Sequence, residues 1–291
     1  MSLIKIERVS FGYSHQPVLQ EISVAFEAGE IVSLLGPNGS GKTTLLKLIL
    51  GLYNPQSGSV RLEGRPVRAI PAKELARRIA YVPQVHRLSF GYRVLDVVLM
   101  GRVPHKPFFF RFSDADEEIA LQALERLSIA HIKDRPYTSV SGGERQLVMI
   151  ARALAQGAGI FIMDEPVNGL DYGNQIRMLS RIAELARSGY TFIKTTHFPD
   201  HALWISDRVV MLKAGVVIAD GATEKVITKS NLYRLYNTPV DVLGLDGGGR
   251  ICVPDAMKRA GRCSGTRRPQ KVPPAGHDAR RRMTAGKAID G

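Results

Sequence analysis

The stretch Gly36-Pro37-Asn38-Gly39-Ser40-Gly41-Lys42-Thr43-Thr44 constrains this 291-residue chain more than any other. It follows the apolar run Ile31-Val32-Ser33-Leu34-Leu35 and opens the apolar helical stretch Leu45 to Leu50. For successive backbone N–H groups to turn inward toward an anion, glycine is needed wherever a Cβ would clash. A helix N-terminus then adds its partial positive charge. A glycine-rich turn before an ordinary helix is the plain alternative, but a strand and a helix flank this one in the order a phosphate cradle requires. In such a cradle Lys42 meets the β- and γ-phosphates, and the hydroxyl of Thr43 is placed for Mg²⁺.

Further along, Ile160-Phe161-Ile162-Met163-Asp164-Glu165 is a continuous apolar run ending in two acids. That is the pattern of a buried parallel strand whose carboxyl end faces a nucleotide crevice. Asp164 is expected in the Mg²⁺ shell, and Glu165 is expected to polarise the attacking water. Between the two motifs lies Val140-Ser141-Gly142-Gly143-Glu144-Arg145-Gln146, followed by Leu147, Ile150, Ala151 and Leu154 at helical spacing. Taken alone, Ser141-Gly142-Gly143-Glu144 is a helix cap. Taken between a phosphate loop and a strand ending in Asp-Glu, it resembles the signature of the ATP-binding subunits of ABC transporters.

The resemblance implies an α/β fold: a P-loop NTPase cassette with a RecA-like core, an N-terminal antiparallel β layer and an inserted helical subdomain. It also implies ATP and Mg²⁺ as ligands and ATP hydrolysis as the activity. Residue by residue, Gly36, Pro37, Asn38, Gly39, Ser40, Gly41, Lys42, Thr43 and Thr44 become the nucleotide loop. Tyr13, in Phe11-Gly12-Tyr13, resembles the aromatic that stacks on adenine. Gln84, in Tyr81-Val82-Pro83-Gln84, resembles the glutamine that touches Mg²⁺ or the lytic water. Asp171, in Asn168-Gly169-Leu170-Asp171, matches a loop that crosses a dimer interface. His197, after Thr191-Phe192-Ile193-Lys194-Thr195-Thr196, matches the histidine that contacts the γ-phosphate. The chain departs from the family pattern at Val167-Asn168-Gly169, where Thr-Ser-Ala is usual, and at Glu144, where Gln is commoner. The first departure puts interface detail in doubt rather than hydrolysis.

Because the chain has no internal repeat, it carries one phosphate loop and one signature. In the resembled family these lie too far apart in one subunit to grip the same nucleotide, so Ser141, Gly142, Gly143 and Glu144 of a second copy complete each site. The implied partners are that second copy, a transmembrane permease and, indirectly, a substrate-binding protein. The implied location is peripheral, on the cytoplasmic face of the inner (plasma) membrane. The segment Tyr92 to Arg102, Asp200-His201-Ala202 and Leu232-Tyr233-Arg234-Leu235-Tyr236 are similar to importers of iron–siderophore, haem, cobalamin and, in some branches, molybdate or tungstate. An exporter subunit and a nucleic-acid-linked ATPase of the same superfamily are the alternatives. Neither a second cassette nor a long heptad insert supports the latter.

Net charge is +13, which invites a nucleic-acid reading until its location is examined. From Gly247 to Gly291 there are 11 Lys or Arg against 3 Asp, a net +8, and the remaining residues hold 29 against 24, a net +5. The excess is concentrated in a Gly/Pro-rich tail with few large apolar groups. The expectation is a cassette over 1–246 and a solvated, disordered extension over 247–291, with anionic lipid headgroups as its alternative partner and no nucleic acid. No run approaches the ~18–20 apolar residues of a membrane span. The two cysteines, Cys252 and Cys263, fit no metal motif and point to a reducing compartment.

Period and punctuation place the elements. Short alternating pieces up to residue 30 suggest an antiparallel layer, and Ser59 to Gly64 suggests a hairpin. Helical patterning occupies about 86–155, with a capping box at Ser113 and Asp116 and a stripe of Ile119, Leu121, Leu124 and Leu127. Strands return over about 156–221, and a terminal helix and strand span Ser230 to Leu243.

Overall fold

The computed structural model describes residues 2–14, 16–84 and 91–260. Its first layer is an antiparallel sheet in the order β2-β1-β4-β5, built from β1 (Ile4–Tyr13), β2 (Gln16–Phe26), β4 (Ser57–Leu62) and β5 (Arg65–Pro66). In β1 the inward set runs Ile4, Ile6, Val9, Phe11 and therefore breaks the two-residue period once. A bulge absorbs the extra residue: the β1–β2 register shifts between Ile6 and Val9, and Arg8 takes φ 44°. Without it every apolar side chain beyond Ile6 would face solvent.

The second layer is a six-stranded sheet in the order β10-β9-β3-β8-β7-β6. Here β3 is Ile31–Leu35, β6 Ile79–Val82, β7 Ile160–Met163, β8 Thr191–Thr196, β9 Arg208–Lys213 and β10 Val216–Ala222. All pairs are parallel except β9 with β10. Every residue of β3, β7 and β8 is buried, which is why these strands read as continuous rather than alternating runs. Alternate residues feed two cores. Val32, Leu34, Ile162 and Ile193 pack toward the first sheet and α1 (Lys42–Ile49), while Ile31, Phe161, Met163 and Phe192 pack with the helical subdomain. Truncating one such side chain, as in Ile162→Ala, is expected to cost ~2–5 kcal/mol.

After α2 (Ala72–Arg78), the helical subdomain comprises α3 (Val94–Leu99), α4 (Asp114–Arg126) and α5 (Gly142–Ala155). The segment assigned to it at 86–90 lies outside the described residues. The capping box of Ser113 and Asp116 is present, and the expected stripe on α4 holds at Leu124, at Leu127 just past the helix end and, partly buried, at Leu121. Its buried residues are Asp116, Ala120, Ala123 and Leu124, while Ile119 is exposed. A carboxylate takes the first core position because it is fully partnered. It accepts from Ser113 Oγ at 2.7 Å and from Arg102 Nε at 3.2 Å, and it pairs with Lys106. Burial works to raise the Asp116 carboxyl, but Lys106, Ser113 and Arg102 outweigh it and hold the group well below the usual carboxylate range.

Over 156–221 the strands alternate with two helices the sequence did not announce, α6 (Tyr172–Arg187) and α7 (Pro199–Ile205). Next come α8 (Thr223–Val226), α9 (Lys229–Tyr236) and a hairpin of β11 (Val240–Gly244) with β12 (Arg250–Pro254). The expected boundary at 246 is therefore wrong. Residues 250–254 form a paired strand, and Cys252 joins the cluster of Leu35, Met211, Leu232 and Leu235. The compact unit closes at Asp255. The three glycines at 247–249 make the hairpin's turn, with Gly247 and Gly248 at φ 102° and 96°. By composition alone the same three glycines suggest the start of a disordered segment. The rest of the expected tail, 261–291, lies outside the described residues.

Candidate functional site

Helix α1 begins without a capping side chain and with no acid in its first turn. Its N-cap, Gly41, has φ 101°, and Gly39 has φ 78°. Both conformations are costly for a residue with a Cβ, and at Gly39 no atom stands within 4 Å of where that Cβ would be. Gly36 faces the opposite constraint, since a Cβ there would lie 2.2 Å from the carbonyl oxygen of Leu212. The loop is thus fixed from below and open above. Lys42 is buried, and its Nζ donates to the carbonyls of Gly36 and Pro37 at 2.8 and 3.0 Å. Burial lowers the Lys42 pKa, while Glu165 and Asp164 pull it back up. The hydroxyl of Ser40 is buried with no protein partner, a polar atom aimed at nothing in its own chain.

Around this loop the carboxyl ends of β6, β7 and β8 bring the remaining residues. One cleft is lined by Asn38, Gly39, Ser40, Gly41, Lys42, Thr43, Thr44, Gln84, Glu165, Asn168 and His197, with Val18 at its edge. Glu165 is its hub. Its Oε2 accepts from Gln84 Nε2 at 3.3 Å and Asn168 Nδ2 at 3.1 Å, and its Oε1 lies 3.1 Å from His197 Nδ1. Asn168, noted above only as a departure from the family pattern, touches the acid itself. Glu165 also sits at φ 45°, a left-handed conformation rare for a non-glycine residue.

The group that holds it there is Thr195, which the motifs did not single out as functional. The Thr195 hydroxyl accepts from Glu165 N–H at 2.7 Å and donates to Asp164 Oδ1 at 2.7 Å. The parallel pairing of Met163 with Lys194 sets Asp164 beside Thr195, so one buried hydroxyl fixes both acids. Only strand register reveals this link. His197 is anchored from behind, its carbonyl accepting from Tyr236 Oη of α9 at 2.8 Å.

The other predicted residues are placed elsewhere or at the rim. None of Ser141, Gly142, Gly143 and Glu144 lines the cleft. They form the N-terminus of α5, closed by a complete capping box: Glu144 N–H donates to Ser141 Oγ at 3.3 Å, and Ser141 N–H donates to Glu144 Oε2 at 2.8 Å. These bonds from Ser141 also hold the Glu144 pKa down. A Cβ on Gly143 would meet the side chain of Asn174 at 2.8 Å, so that glycine makes room within its own chain. Asp171 is the N-cap of α6, accepting from Asn174 N–H at 2.9 Å. Tyr13 stands beside the loop, its Oη 3.3 Å from Thr44 Oγ1, with its ring edge-on to Phe11 and Tyr53.

Among the described residues no cluster of three or more His, Cys, Asp or Glu side chains could hold a metal ion. Mg²⁺ does not need one, since it is usually held by one or two carboxylates together with substrate phosphates and water. The donor set of Thr43, Gln84 and Asp164 fits that mode, as does the unpartnered Ser40 hydroxyl in the cradle.

An open helix N-terminus, a buried lysine and two acids at the end of β7, one strand beyond β8, define a nucleoside-triphosphate-hydrolysing cassette. Comparison with known proteins agrees. Residues 19–168 match the family model described as ABC transporter. The chain is 36% identical over 239 residues to the molybdate import ATP-binding protein MolC of Haemophilus influenzae, covering 81% of this chain and 89% of that one. It is 32% identical over 244 residues to the iron(3+)-hydroxamate import ATP-binding protein FhuC of Bacillus subtilis, covering 84% and 91%. A solved structure described as an inward-facing conformation of a putative metal-chelate type ABC transporter superposes with TM-score 0.80 at 32% identity, covering 89% of this chain and 99% of that one. The chain belongs to the ATP-binding subunits of the ABC transporter family, and it is an ATPase.

Proposed function

We propose that this chain powers a membrane importer of a metal chelate, such as an iron–siderophore, haem or cobalamin, or of an oxyanion such as molybdate or tungstate. The observation that carries the catalytic part is the convergence of Gln84, Asn168 and His197 on Glu165 at the mouth of the phosphate cradle. In this reading Glu165 orients and deprotonates the attacking water. Lys42 and His197 offset charge on the γ-phosphate, and the α1 N-terminus binds the α- and β-phosphates. Thr43, Gln84 and Asp164 would hold Mg²⁺, which would supply positive charge to the β- and γ-phosphates. Tyr13 stacks on the base. Nothing is transferred to the protein, so catalysis is positioning plus electrostatics.

Because the signature residues stand apart from the cleft, they serve the nucleotide of a second copy, reached across the Asp171 loop. Two copies close on two MgATP, and a separate permease takes up the movement through the helical subdomain. The chain then sits on the cytoplasmic face of the membrane without crossing it; among the described residues no helix is long and apolar enough to span. The names of the similar proteins support the cargo class, and the ATPase itself need not touch the cargo. Removing the gene from its host should abolish uptake of one of these ligands, read with radiolabelled ferric siderophore, haem, cobalamin, molybdate and tungstate, with return on complementation. Normal uptake of all five would overturn the importer reading and leave the ATPase standing.

A further inference from the structure

Four of the ten phenylalanines fall within five residues, Phe108-Phe109-Phe110-Arg111-Phe112, between α3 and α4. Phe108 is 90% exposed and Phe109 88%, and Phe110 and Phe112 are also open to solvent. The rings pair with one another, Phe108 with Phe109 at 4.9 Å and Phe110 with Phe112 at 5.2 Å, centroid to centroid. Single exposed apolar residues are ordinary, but a run of rings presented together marks a contact surface. We infer, on the reading that the chain works at a membrane surface, that this segment is a lipid-contact loop that seats its rings among the headgroups of an anionic bilayer.

The base of the loop is clamped while its tip is bare. Gly101 presses on α5 so closely that a Cβ there would stand 2.2 Å from the carbonyl oxygen of Arg152. Arg102 Nη1 donates to the Ala155 carbonyl at 2.8 Å, and His105 Nε2 lies 2.8 Å from the Gln156 carbonyl oxygen. From α2, Arg77 Nε donates to the Pro104 carbonyl at 2.9 Å, and Lys73 Nζ donates to that of Lys106. Pro107 then fixes φ at the entrance to the rings. A loop held this way loses less freedom on contact than an unanchored one.

Charge selects the partner. The stretch from Arg65 to Arg78 carries five cations, Arg65, Arg68, Lys73, Arg77 and Arg78, against one acid, Glu74. Arg65 is paired with Glu74 and Arg78 with Glu63. Among the described residues, Arg68, Lys73, Arg77 and, inside the run itself, Arg111 have no carboxylate partner. Lys73 and Arg77 reach the backbone at residues 104–106, so their charge lies against the loop. Asp114 and Glu117 stand exposed on the first turn of α4, which makes the α2 side the cationic one. Rings at headgroup level beside cations that gain from anionic lipid are the composition of an interfacial anchor. An acidic protein face would also suit the cations, but it would need a pocket shaped to the four rings. A bilayer accepts them without one.

The test mixes the full chain with vesicles of phosphatidylcholine and phosphatidylglycerol, or of phosphatidylcholine alone, and reads the bound fraction by flotation. Binding is expected on the anionic vesicles and should fall as salt is raised. Phe108→Ser with Phe109→Ser should weaken it at least ~10-fold while keeping the melting temperature and the ATPase activity in solution. Arg68→Gln with Arg111→Gln should weaken it too. Phe108→Trp in a Trp204→Phe background should bind like the unsubstituted chain and shift its emission to the blue on vesicles, because the ring leaves water. No binding to anionic vesicles would overturn the lipid contact. Binding that the serine substitutions leave unchanged would overturn it as well and give the contact to the basic residues beyond 260. Serine substitutions that change import in cells without changing vesicle binding would overturn it in favour of a protein partner. Vesicle binding lost in the serine variant, in a chain that supports uptake of none of the five ligands, would uphold the loop and overturn the importer reading alone.

Discussion

Helices α1 and α5 both begin on glycine-rich turns, and their first turns differ. At α1 no side chain caps the backbone N–H groups, and a buried hydroxyl and a buried lysine lie nearby without a carboxylate bonded to either. At α5 the side chains of Ser141 and Glu144 satisfy the first-turn N–H groups. An open N-terminus leaves partial positive charge for an anion to complete, whereas a capped one is already stable. Glycine at a helix start is therefore not by itself a phosphate site. The capping state separates the helix start that is left open for an anion from the one whose N–H groups are already satisfied.

Substitutions at the two faces should separate accordingly. The largest effect is expected at Glu165. Glu165→Gln should keep MgATP binding and lower kcat at least ~10²-fold, the scale of a lost general base. Steady-state turnover measured beside nucleotide affinity decides it, and near-normal turnover removes Glu165 from the role. Lys42→Ala should instead weaken MgATP binding by about 10-fold or more, because a charge facing the phosphates is lost in ground and transition states alike. Equilibrium titration with a fluorescent nucleotide reads this, and unchanged affinity would mean that the buried amine stays on the Gly36 and Pro37 carbonyls.

Thr195→Val tests whether the open face depends on the hydroxyl beneath its two acids. Removing hydrogen bonds to charged groups is worth ~1.5–3 kcal/mol, so kcat should fall about 10-fold with little change in KM, and Thr195→Ser should restore it. A valine variant that only melts earlier, with normal kcat, would make Thr195 structural. On the capped face, Ser141→Ala should lower stability by ~1 kcal/mol through loss of the cap and leave monomer nucleotide affinity untouched, read by denaturant titration and nucleotide binding. If it lowers that affinity, the two faces are not separate. Gly143→Asp would be a poorer probe, because its side chain first meets Asn174 of its own chain.

The smallest effect is expected at the C-terminus. Ending the chain after residue 260 should leave the melting temperature within about a degree, whereas ending it at 246 removes β12 and uncovers Leu232 and Leu235. The shorter chain should melt several degrees lower, since a loss of ~1–2 kcal/mol moves Tm by roughly 2–4 °C per kcal/mol in a unit of this size. Equal melting temperatures would restore the boundary at 246.

The phosphate loop, the acidic strand end, the antiparallel layer and the helical insert were legible because each rests on local rules: glycine where φ is positive, apolar runs where both faces are buried, hydroxyl and carboxylate at a helix start. Lys42, Asp164 and Glu165 could be named from such rules, and Gln84 and His197 only from the resemblance to ABC cassettes. What the motifs could not show is how distant segments share a contact. Thr195 reaches Asp164 and Glu165 only through the register of β7 with β8, and Asn168 reaches Glu165 only because the chain turns back at a left-handed residue. Asp116 can occupy a core position because Arg102 and Lys106 reach it from the preceding segment, so a polarity pattern that found Leu124 and Leu127 missed the carboxylate beside them. At 247–249 the glycines suggested disorder by composition, but a tight turn and disorder draw on the same residue, and the choice depended on whether Arg250–Pro254 found a partner strand. Sequence by itself determined which residues could bind a nucleotide and where helices and strands could start. Tertiary structure decided which donors surround Glu165 and which helix start is left open, because those depend on contacts between residues far apart in the chain.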